Sequence, residues 1–123
     1  MSGFQQALTT LFSRLDLPVY LTGQTPGTLA FPYLTMSVGS AGFCGAIPLT
    51  VTAWFLGRSG NQQRSSCCDQ LQQLIPEGGV KLTFPGSMAI LHRATDFITL
   101  ITDATEPRSL GARIRLTVKL YDL

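Results

Sequence analysis

Few residues in this 123-residue chain are of types that do chemistry, and their spacing limits which chemistry is open to them. His92 is the single histidine, and Cys44, Cys67 and Cys68 are the three thiols. A zinc centre needs about four His, Cys or carboxylate ligands converging on one point. Cys67 and Cys68 are adjacent, so on a helix they diverge by about 100° and cannot chelate as a Cys-x-x-Cys pair would. No Gly-x-Ser-x-Gly is present, and a lone His92 without a matching nucleophile gives weak support for a triad. The seven carboxylates are scattered; Asp96 and Asp103 bracket one strand, as turn or surface residues commonly do. Gly57-Arg58-Ser59-Gly60 precedes a helix and could cradle a phosphate. It lacks the Gly-Lys-Ser/Thr ending of a P-loop, so a loop-and-cap role is expected. The expectation is a non-enzyme with no catalytic residue, metal or cofactor.

The organised polar groups lie near the C-terminus. Arg108, Arg113, Arg115 and Lys119 follow one another with no intervening acid, and Tyr121 comes next. A nucleic-acid surface interleaves more aromatics and carries more net charge than the +2 of this chain, so no specific nucleic acid is expected. These residues, with Asp96, Asp103 and Glu106 as opposite charges, form the candidate subunit or partner interface.

The elements that position them are legible. Ala112, Ile114, Leu116, Val118 and Leu120 alternate with Arg113, Arg115, Thr117, Lys119 and Tyr121. Successive side chains in a strand point to opposite faces, so the final strand has one buried face and one basic face. Phe4, Ala7, Leu8, Leu11, Phe12 and Leu15 repeat at helical spacing, with Ser2 as N-cap and Pro18 as the stop. Val19–Leu21 reads as a short strand and Thr22–Ala30 as a loop. Phe31–Val38 and Ile47–Leu56 alternate as strands, Pro32 sitting near the start of the first. Gly39–Pro48 then reads as the tip of an extended hairpin, with Gly39, Gly42, Phe43 and Gly45 as a candidate flexible contact loop.

Ser59 or Asn61 can cap a second helix, whose narrow apolar face is Cys67, Cys68, Leu71, Leu74 and Ile75; Pro76 and Gly78-Gly79 end it. Strands are expected over Val80–Phe84, Met88–Arg93 and Phe97–Thr102, with a turn at Pro85-Gly86-Ser87. The order describes one α+β domain over residues 1–123, a mostly antiparallel β-sheet packed with two α-helices.

Hydrophobic residues make up 45% of the chain and charged residues only 13%. A free-standing domain usually keeps about a quarter of its residues charged, so other subunits or partners are expected to cover part of this surface. An odd cysteine count with two adjacent makes no disulfide framework, so folding in a reducing cytoplasm is expected. Met1-Ser-Gly-Phe-Gln-Gln lacks the pattern of a signal peptide, and no window approaches the about 20 apolar residues of a membrane span.

Taken in order, these features resemble the tail terminator group, the small tail-completion proteins of long-tailed bacteriophages. The resemblance spans nearly the whole chain. It rests on the amphipathic first helix, Phe31-Pro-Tyr33-Leu-Thr-Met, Leu49-Thr-Val-Thr-Ala-Trp-Phe55, the Gln-rich second helix and Arg113-Ile-Arg-Leu-Thr-Val-Lys-Leu-Tyr121. It implies a virion structural subunit, assembled in the bacterial host cytoplasm and resident in the tail. Such a subunit forms a homo-oligomeric ring, commonly a hexamer, on the head-proximal end of the tail tube. There it ends tube polymerisation and forms the head-joining surface. Its implied partners are itself, the tail tube protein and head–tail connector proteins. Three other readings compete: a head–tail connector or other tail structural protein, a nucleic-acid-binding module using the basic strand, and a small-molecule or enzymatic domain with a pocket under the Gly39–Pro48 loop.

Overall fold

The computed structural model describes residues 2–22, 30–39, 45–103, 105–106 and 108–122. Helix α1 (Ser2–Phe12) continues as a single 3-10 turn over Ser13–Leu15, and β1 (Val19–Leu21) follows. Next come β2 (Tyr33–Val38), β3 (Ile47–Leu56), α2 (Gly60–Leu74), β4 (Val80–Phe84), β5 (Ser87–Thr102) and β6 (Ser109–Asp122). The six strands form one sheet in the order β1-β2-β3-β6-β5-β4. All neighbours are antiparallel except β1 and β2, which run parallel. The α+β architecture of two helices on a mostly antiparallel sheet is therefore as expected.

Alternation decides which sheet face is covered. Leu34 and Met36 of β2 are buried with Leu49, Val51, Ala53 and Phe55 of β3. The register carries the same face onto Ala112, Ile114, Leu116 and Val118 of β6, then onto Ala89 and Leu91 of β5. Onto this face α1 brings Phe4, Leu8, Leu11 and Phe12, and α2 brings Cys67 and Leu71, making one continuous core. Each Val, Leu, Ile, Met or Phe side chain taken from water there contributes about 1.5–3 kcal/mol. The opposite face of the sheet has no helix against it among the described residues.

Several local expectations need correction. The first helix does not run on to Pro18. It tightens after Phe12 and stops at Asp16, whose left-handed φ of 59° and amide bond to the Ser13 carbonyl close the turn. Ser2 falls inside the first helix, not ahead of it. At α2, Ser59 precedes the helix but its side chain makes no capping hydrogen bond, and Asn61 lies within the helix. Gly57, at φ +81°, makes the turn out of β3, and its carbonyl accepts from the Gly60 amide.

The largest difference concerns β5. Met88–Arg93 and Phe97–Thr102 are not two strands but parts of one, Ser87–Thr102, which β6 pairs on both sides of an irregularity. Between Arg93↔Leu116 and Ile98↔Ile114 the register slips, so Ala94-Thr95-Asp96-Phe97 forms a bulge opposite Arg115 where a break between strands was expected. The expected hairpin is present in its paired part: Val38 faces Leu49, and the Gly39 amide donates to the Pro48 carbonyl at 2.8 Å. Gly42, Phe43 and Cys44 at its tip, and most of the Thr22–Ala30 loop, lie outside the described residues.

A bare sheet face as the candidate interface

Placing β6 between β3 and β5 puts its polar face at the middle of the uncovered side. Arg115 and Lys119 are exposed there, Arg113 is half-buried, and Tyr121 is 43% exposed near the strand end. Across the sheet Arg113 faces Thr52 on one side and Thr99 on the other, and Arg115 faces Thr50. The cations thus stand in a field of threonines, which offer hydroxyls without charge and pack well on a pleated surface.

At one end of this face the row becomes aromatic. Tyr33 faces Trp54, Trp54 faces Gly111, and Gly111 faces Ile101. Tyr33 also packs against Phe31, ring centres 5.2 Å apart, and against Tyr20 at 6.5 Å. Burial, with the Asp103 charge adding to it, pushes the Tyr33 phenol above its ordinary pKa. The bare face therefore combines an amphipathic aromatic end with a threonine and cation centre.

The acids expected to meet these cations from a neighbouring subunit find partners inside this one. The Asp96 carboxylate, raised on the β5 bulge, accepts from the Arg115 guanidinium. Glu106 accepts from Arg108 at 3.2 Å, and both side chains are exposed. Asp103 accepts from the Thr105 amide and hydroxyl at 2.9 and 2.8 Å, which turns the chain toward β6 and holds the carboxyl below its ordinary range. Arg108, Asp103 and Glu106 thus shape the β5–β6 connection. Arg113, Lys119 and Tyr121 make no side-chain hydrogen bond or ion pair among the described residues.

Arg93 was not singled out from sequence, yet it joins the end of α2 to the sheet. On the helix side of β5, its Nε donates to the Ile75 carbonyl at 2.7 Å and its Nη2 to that of Gln72 at 2.9 Å. These are orphan acceptors at the end of α2, where a positive charge also meets the negative end of the helix dipole. The guanidinium lies 4.5 Å from the Phe97 ring centre. An arginine ending an apolar strand segment was the available signal.

The residues weighed for other chemistry stay apart. His92 is exposed on β5, and among the described residues no three His, Cys, Asp or Glu side chains gather to hold a metal. A groove between α2 and the start of β2 is lined by Leu15, Pro32, Phe55, Gln63, Cys67 and Gln70. Its thiol, Cys67, is buried, and desolvation, with neighbouring Cys68 adding to it, pushes its pKa up to about 12. A thiol so protonated is a poor nucleophile at neutral pH.

No protein-family model and no curated protein matches the sequence. One solved structure superposes on 99% of this chain and 93% of its own with a TM-score of 0.71, at 15% sequence identity. It carries no functional name, and the likeness is one of fold. No helix among the described residues is long and apolar enough to cross a membrane.

Proposed function

We propose that this protein is a virion structural subunit that caps the head-proximal end of a bacteriophage tail tube, ends its polymerisation and forms the surface to which the head joins. The observation that carries the reading is the bare sheet face. A two-layer α+β domain with helices on one side leaves its other side for something else, and here that side is broad, threonine-rich and bordered by Tyr20, Tyr33 and Trp54. Low charge across the chain supports burial of part of the surface against other subunits, and the resemblance in chain order to tail-completion proteins supplies the particular role. In this reading the subunit works as a ring of identical copies, commonly six, and its partners are the tube protein and the connector proteins of the head.

The nucleic-acid reading is weakened by the Arg115–Asp96 pair, which neutralises one of the cations on the face. A phosphate-binding surface gains its affinity from free cations and counterion release.

Labelling tail tubes with an antibody to this protein, viewed by electron microscopy, tests the proposal. Label at one tube end only, the head-joining end, is the expected result. Label along the tube, on empty heads alone, or nowhere would refute it, and label on heads alone would favour the connector role.

A further inference from the structure

The two sides of the sheet end level with one another. Following the register from strand to strand, Val19 shares a row with Leu34, Ala53, Ala112 and Leu100. Tyr20 shares one with Thr35, Thr52, Arg113 and Thr99, and Leu21 with Met36, Val51, Ile114 and Ile98. So β1, which closes one side, stands at the same height as Ile98–Leu100 of β5 on the other.

Both stretches are open among the described residues. β1 has β2 on one side only, and β4 pairs with Ser87–Leu91 of β5 and no further. Free edges are ordinarily blunted with charge, proline or cover, because unpaired amides and carbonyls recruit other strands. Val19-Tyr-Leu21 and Ile98-Thr-Leu-Ile-Thr102 carry neither charge nor proline, and Leu100 is 58% exposed. The β4 edge is different: it carries exposed Lys81, runs into Pro85, and is packed by α1 through Phe4 and Phe84.

Direction and facing also agree. β1 runs parallel to β2, and three antiparallel steps lead from β2 to β5, so β1 and β5 run in opposite directions. In a second copy of the same orientation, β1 would meet β5 as an antiparallel neighbour. Val19 would then stand beside Leu100 and Leu21 beside Ile98 on the helix side, with Tyr20 beside Thr99 on the bare side.

We propose that β1 of one copy pairs antiparallel with Ile98–Leu100 of the next, extending the sheet from subunit to subunit. The contact is head-to-tail, so it makes a ring if the rotation between copies closes. This inference rests on the ring-forming function proposed above and names the surfaces that would build the ring. It also places the exposed Leu100 against Val19, where its apolar surface is covered.

Paired cysteines test it, because Cα atoms directly opposite in an antiparallel pair are about 4.5–5.5 Å apart, within disulfide range. Full-length Y20C and T99C chains are mixed under assembly conditions and oxidised. Covalent dimer from the mixture, and none from either variant alone or from Y20C mixed with T83C, is expected. L100K should abolish the oligomer while leaving the subunit folded by circular dichroism. A T99C–T99C dimer would show two β5 edges meeting face to face and overturn the pairing, as would a Y20C–T83C dimer. Rings that form in light scattering without the Y20C–T99C link overturn this pairing and leave the ring intact. Absence of any oligomer, free or on tail tubes, overturns both.

Discussion

Trp54 lies across the backbone of Gly111, so closely that a Cβ on that residue would stand 2.9 Å from the indole ring and 2.7 Å from Ile101. Glycine here is a matter of space, not of φ, and it lets the two side chains close over the bare face. Gly111→Ala should therefore cost about 1–3 kcal/mol, the usual range for overpacking, despite the entropy that alanine saves in the unfolded chain. Urea denaturation of the two proteins measures it. An unchanged or raised midpoint would mean that Trp54 moves aside freely.

Arg93 ties the end of α2 to the sheet. Arg93→Met keeps the packing stem and removes both donors, leaving the Ile75 and Gln72 carbonyls to water. Hydrogen bonds from charged donors contribute about 1.5–3 kcal/mol, so a loss of that order is expected. Amide exchange should accelerate selectively in the last turn of α2. Uniform acceleration across the molecule would assign Arg93 to global packing.

Arg113 and Arg115 stand on the opposite side of β6 from Leu116, which is 2% exposed. Replacing both arginines with glutamate should leave the thermal midpoint nearly unchanged, since an exposed ion pair such as Arg115–Asp96 contributes about 0–1 kcal/mol. Assembly should suffer, because misplaced charges across an interface cost several kcal/mol. Leu116→Ala should instead cost about 2–5 kcal/mol of stability. Calorimetry and light scattering on both variants separate the effects, and an unfolded charge variant beside a stable Leu116→Ala would contradict this division of faces.

The two neighbouring thiols should differ in reactivity. Cys67 is buried with its pKa pushed up to about 12, whereas half-buried Cys68 is raised by burial against the lowering charge of Arg64. Alkylation at neutral pH followed by peptide mass mapping should modify Cys68 first, with Cys67 following only on unfolding. Equal rates would show that α2 opens readily.

Acid should loosen the turn between β5 and β6 late. Hydrogen bonds from Thr105 hold Asp103, and those from Arg108 hold Glu106, below their ordinary values of 3.8 and 4.5. Lowered folded pKa values mean that this stabilisation is complete above the unfolded values and is lost as pH falls through the folded ones. Carboxyl chemical shifts followed by NMR should titrate below those ordinary values. Midpoints at or above them would show the turn to be unformed.

What the sequence made legible was set by side-chain period. Strict alternation in β3 and β6 identified both strands and their buried faces, because each has one apolar and one wet side. Helical spacing from Phe4 to Leu15 did the same for α1. Pairing partners leave no mark of this kind. Neither the parallel run of β1 beside β2 nor the central place of β6 follows from periodicity, and the bulge at Ala94–Phe97 carries Thr95-Asp96, residues common in turns. Of the candidate interface, Arg113, Arg115, Lys119 and Tyr121 share a bare face as expected, whereas Asp96, Glu106 and Arg108 serve contacts within the subunit. Those contacts depend on a register slip and a loop path that only the folded chain reveals.

The length of tail tubes tests the central claim most directly. Tube protein is polymerised from its initiating complex with and without the purified subunit, and lengths are measured by electron microscopy. A capping subunit should end growth, giving a narrow length distribution with the protein present and overlong tubes without it. Identical distributions, with the protein bound or not, would contradict the proposed function.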